Sequence, residues 1–160
     1  MGSTEISAPA GVPFVDISRE FAAPRELLYR AYTEPTLLVQ WLGPAKYEMV
    51  IDRWEARDGG SYRYVHRDDQ GNAFGFHGVF HSLSIDSMVQ TFEFEGAPGH
   101  VSLDQLTFEG NGARTTIRTH SVFQSVADRD VMIENGMGSG VDEGFNRLES
   151  LIGRITEGSH

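Results

Sequence analysis

The chain reads as an α+β domain in which a seven-stranded antiparallel sheet curves around a long C-terminal helix, with two short helices after the first strand. Three observations predict it. Apolar and polar residues alternate through seven runs, as they do in strands with one buried face. The last six runs are joined by short, turn-rich connections, which antiparallel neighbours allow and parallel ones do not. From Ser125 onward the period changes to 3.6 residues, that of an amphipathic helix.

Residues 14–21 form the first run, with Val15, Ile17, Arg19 and Phe21 on one face and Asp16, Ser18 and Glu20 on the other. Arg19 is the exception on the inner face. Pro24 then stands where a first helical residue belongs, Glu26 falls in the first turn, and Leu27, Leu28, Ala31 and Tyr32 supply the apolar side. Thr33-Glu34-Pro35 ends that helix, and a second short one runs over 35–41 until Gly43-Pro44 breaks it. Six strands follow at 47–56, 61–67, 73–83, 87–95, 100–108 and 113–123. Their connections carry Asp58-Gly59-Gly60, Asp68 to Asn72, Ala97-Pro98-Gly99 and Gly110-Asn111-Gly112, all turn formers. Ser125 caps the final helical segment, with Asp128 at its third position, and the pattern continues to Ile155.

That last segment carries Gly136, Gly140 and Gly144 one helical turn apart. Each interior glycine costs a helix roughly 0.5 to 1 kcal/mol relative to alanine, so an aligned set needs a reason. Met137, Val141, Gly144, Leu148, Leu151 and Ile155 form the apolar stripe, filled by large side chains at its C-terminal end and nearly bare at its N-terminal end. Either a backbone that approaches closely or a ligand-holding cavity fills the bare end.

One domain, residues 14–156, accounts for a chain of 160 residues, large enough to bury about 70% of the surface an unfolded chain of that size exposes. Residues 1–13 read as a disordered lead-in and 157–160 as the remnant of an expression tag. There is no cysteine, which excludes disulfides and thiolate chemistry and makes a cytoplasmic location the expectation. A net charge of −10 with thirteen dispersed basic residues argues against nucleic acid and anionic membrane as partners. No apolar run reaches the roughly 20 residues of a membrane-spanning helix.

The sheet places aromatics on one face at period two: Tyr62 and Tyr64, Phe74, Phe76 and Phe80, Phe92 and Phe94. Their alternates include Arg63 and Arg67, His77 and His81, and Glu93 and Glu95, so the aromatic face points inward. It forms either a dry core or the wall of a pocket. The candidate ligand-binding residues are therefore Arg19, Trp41, Tyr62, Tyr64, Phe76, Phe80, Phe92, Met137, Gly140 and Val141. Arg19 needs a carboxylate, a carbonyl or a ligand, because an unpaired buried guanidinium is too costly to persist. His66 alternates with the two tyrosines and faces inward, whereas His77 and His81 share the outer face roughly 13 Å apart. No set of residues has metal-ligand spacing, so neither metal nor other cofactor is expected. No nucleophile elbow, phosphate-cradling loop or acid pair marks catalysis.

The run Arg19-Glu20-Phe21-Ala22-Ala23-Pro24-Arg25-Glu26-Leu27-Leu28-Tyr29-Arg30-Ala31-Tyr32, with Pro35, Trp41-Leu42-Gly43-Pro44 and Arg57-Asp58-Gly59-Gly60, resembles the START/Bet v 1-like (SRPBCC) superfamily. Within it, the pattern is similar to the branch named for the activator of Hsp90 ATPase, and Gly136-Met137, Gly140, Glu143-Gly144 and Arg147-Leu148 look like that branch's closing helix. The resemblance covers about residues 14–155. It implies a helix-grip fold whose cavity takes a small apolar molecule. Polyketide cyclase, aromatase or hydrolase chemistry and stimulation of an Hsp90-type ATPase are the alternative functions it implies, the former with His66, Arg19 and the tyrosines as the polar groups. The sheet edges leave room for a homodimer.

Overall fold

The computed structural model describes residues 2–158. Its strands are β1 (Glu5–Ser7), β2 (Phe14–Phe21), β3 (Glu48–Trp54), β4 (Ser61–Arg67), β5 (Ala73–Leu83), β6 (Ser87–Phe94), β7 (Val101–Gly110) and β8 (Thr115–Val122). Helices α1 (Arg25–Thr33) and α2 (Pro35–Leu38) separate β2 from β3, and α3 (Val126–Glu134) and α4 (Met137–Glu157) close the chain. The strands form one antiparallel sheet in the order β1-β2-β8-β7-β6-β5-β4-β3. From β3 to β8 the chain meanders. β2 lies on the far side, paired along its whole length with β8 from Phe14 opposite Val122 to Phe21 opposite Thr115. Register shifts between Ile51 and Arg53 and between Phe80 and Ser82 help the sheet curl.

The expected α+β helix-grip is present, with two differences. The sheet has eight strands rather than seven, because part of the lead-in expected to be disordered pairs with β2, Ile6 opposite Ile17. Without it β2 would be a bare edge of unpaired backbone groups. Side chains hold the lead-in as well: Arg19 donates to the Thr4 hydroxyl at 3.3 Å, and the buried Arg129 of α3 donates to the Pro9 carbonyl at 2.9 Å.

The second difference lies in the C-terminal segment. It is two helices, because Gly136 sits at φ 86°, a left-handed conformation that ends α3 and starts α4. Ser125 does cap α3, accepting from the Asp128 amide at 3.0 Å. Glu157 is the last residue of α4 rather than part of a detached tail, while Ser159 and His160 lie outside the described residues.

From Phe145 onward, α4 packs Phe145, Leu148, Leu151 and Ile152 into the core. Phe145 meets the Phe21 ring edge-on at 5.5 Å and stacks on Trp41 at 6.4 Å. The middle of the helix is also tied to a loop. Arg147 donates to the carbonyls of Gly43 at 2.7 Å and Gln40 at 3.1 Å, and Glu143 accepts from the Ala45 amide at 2.6 Å. Between those side chains a Cβ on Gly144 would stand 3.3 Å from the Gly43 nitrogen. The close approach foreseen at the glycines is thus real at Gly144, against loop 41–43 rather than the sheet.

Candidate functional site

Around Gly140 nothing lies within 4 Å of where a side chain would begin. That open space belongs to a cavity of about 480 Å³ between the concave sheet face and the N-terminal half of α4. Residues 136, 137, 140, 141 and 144 of the corner and helix form one side. The opposite wall comes from alternate residues of β4, β5 and β6, where Tyr64 stacks on Phe76 at 5.2 Å and Phe76 on Phe92 at 5.4 Å. Asn135 and Gly136 are exposed as well as lining, and so place the mouth at the corner between α3 and α4.

Eight of the ten residues expected at a site meet here: Trp41, Tyr62, Tyr64, Phe76, Phe92, Met137, Gly140 and Val141. Trp41 is a buried wall of the cavity, 2% exposed with its indole N–H donated to the Ala31 carbonyl at 3.0 Å. Arg19 and Phe80 do not line the cavity. The Arg19 guanidinium is taken up by α4, with Asn146 at 2.8 Å, Glu149 at 3.1 Å and Asp142 at 3.6 Å, so it clamps helix to strand. Phe80 is 1% exposed between Trp54 and Tyr62, behind the lining.

Among the described histidines, only His66 lines the cavity. It is 7% exposed and flanked by the rings of Tyr47, Tyr64 and Phe76. Burial, reinforced by the Arg147 charge, pushes its pKa down to about 4, so it is neutral near pH 7. His77 instead pairs on the outer face with Glu95 at 2.9 Å and Glu93 at 3.3 Å. Among the described residues no group of histidines and carboxylates could hold a metal ion.

The sequence matches a known family. Residues 22–153 match the family described as Activator of Hsp90 ATPase homolog 1-like protein. The chain belongs to that family. Among solved structures, a Rhodobacter sphaeroides protein superposes with a TM-score of 0.86 at 22% identity, covering 95% of this chain and 99% of its own. An Arthrobacter aurescens protein also reaches 0.86 at 21% identity over 94% and 91%, and one from Mycobacterium smegmatis reaches 0.83 at 18% over 94% and 96%. At these identities the likeness concerns the fold. No curated protein matches the chain in sequence.

What the sequence reading of this family member missed is the polar part of the cavity. Ser102, Asp104, Thr119, Ser121 and Gln90 line it from β7, β8 and β6. Gln90, Asp104 and Ser121 stand in one cross-strand row. Ser102 donates its hydroxyl to the Asp104 carboxylate at 3.1 Å, with Ser121 on the other side. Burial still pushes the Asp104 pKa up, against the pull of both serines. The signal was available, since the buried Leu106 and Phe108 extend by twos back to Asp104 and Ser102.

Proposed function

We propose that this protein binds a small, largely apolar molecule between the concave sheet face and α4. One observation carries the reading: the cavity of about 480 Å³ is walled by stacked aromatic rings, and its helix side is left open at Gly140. A packed core closes such space, because an unfilled apolar volume costs stability. The size falls within the range of small-molecule sites, and the lining has their composition, mostly apolar with a few placed polar groups. The glycine contributes to that space directly. At position 140 any larger side chain points into the void.

Titration with an environment-sensitive hydrophobic fluorophore tests it. Gly140→Leu is expected to weaken binding by about tenfold or more, while Ser150→Leu on the exposed face of α4 leaves it unchanged. Equal binding by the two variants and the parent protein would sink the proposal.

A further inference from the structure

A carboxylate inside an aromatic cavity either takes up a proton or keeps its charge beside a partner. Among the described residues lining the cavity, Asp104 is the only carboxylate, and none is lysine or arginine. The buried Ser102 and Ser121 present hydroxyls to it, which favour it as an acceptor and leave its charge uncompensated. Tyr62 cannot help, since its hydroxyl is donated to the Thr91 carbonyl at 2.6 Å. His66 lies three strands away in the sheet, in a different cross-strand row, and is neutral near pH 7. A cation would compensate the Asp104 charge. It has a place to lie, because Ser102 stands directly opposite Phe92, the end of the stacked Tyr64–Phe76–Phe92 row.

We propose that the occupant of this cavity is a small amine, its ammonium group paired with Asp104 and its ring body laid along the aromatic row. The inference rests on the cavity being a binding site. An ammonium head offsets the buried charge and is attracted by neighbouring ring faces, whereas a neutral alcohol of the same shape donates a hydrogen bond and leaves the charge standing. The net charge of −10 also raises the local concentration of cations.

Calorimetric titration with tryptamine and with its neutral isostere tryptophol separates the two ideas. The amine is expected to bind about tenfold tighter or more, and Asp104→Asn to abolish that preference. Should that variant fail to fold, Asp104→Ser carries the same expectation. Equal binding of the two compounds, or a preference that survives loss of the carboxylate, overturns the amine assignment. Tryptophol that binds and is excluded by Gly140→Leu, with tryptamine no tighter, leaves the cavity reading standing and removes this one. Binding of neither compound removes both.

Discussion

Asp104 occupies a position that folding stability alone disfavours. Its pKa is raised, so the folded state resists its ionised form; the cost is present above the folded pKa and disappears as pH falls and the carboxyl is protonated. Asp104→Asn keeps the shape and an oxygen for the serines while removing the charge. The variant is therefore expected to melt at a higher temperature than the parent at pH 7, with an advantage that shrinks on acidification, as thermal melts across pH would record. A lower melting temperature at pH 7 would mean that the carboxylate holds the fold together. Conflict between stability and residue choice is common at sites kept for binding. Arg19 illustrates the opposite case, a buried charge whose two terminal nitrogens pair with Asn146, Glu149 and Asp142 of α4, with its Nε alone unbonded.

The three glycines of the C-terminal segment look equivalent in sequence and do three separate things. Gly136 turns the chain between α3 and α4. Gly140 faces the cavity, and Gly144 lies against loop 41–43. Substitution should distinguish the last two by sign. Gly140→Ala fills open space and removes the glycine penalty, so it is expected to stabilise by up to about 1 kcal/mol. Gly144→Leu drives a side chain into the Gly43 backbone and works against the Arg147 and Glu143 bonds to the same loop, at a cost of about 1–3 kcal/mol. Denaturant unfolding reads both. A destabilised Gly140→Ala, or a Gly144→Leu as stable as the parent, would contradict the placement of α4.

Across the molecule, acid stability reports how the titratable groups are distributed. His66 titrates at about 4 when folded against an ordinary 6.5, so the unfolded chain binds its proton first, and stability falls as pH drops from 6.5 towards 4, by on the order of 3 kcal/mol at most. Glu95, held down to about 2 by the Arg63 and His77 side chains, adds a second loss between 4.5 and 2. Asp104 opposes the decline with its contrary sign. Urea midpoints measured over this range should decline from pH 6.5 downward, and more gently in His66→Gln; identical profiles would refute the assignment. The architecture behind these effects was largely legible in the residues. Alternation placed β2 and the meander from β3 to β8, turn chemistry joined the strands, and the capping pattern began α3 at Ser125, because these are local consequences of period and backbone preference. The aromatic wall followed from the same alternation. Long-range pairing settled the rest. Whether the lead-in covers the edge of β2, whether Arg19 faces a ligand or α4, and which glycine meets backbone and which meets empty space all depend on contacts between segments distant in the chain. Period two identifies a face but not its neighbour. The meeting of a lone carboxylate with a stacked aromatic row exists only once β6, β7 and β8 lie side by side.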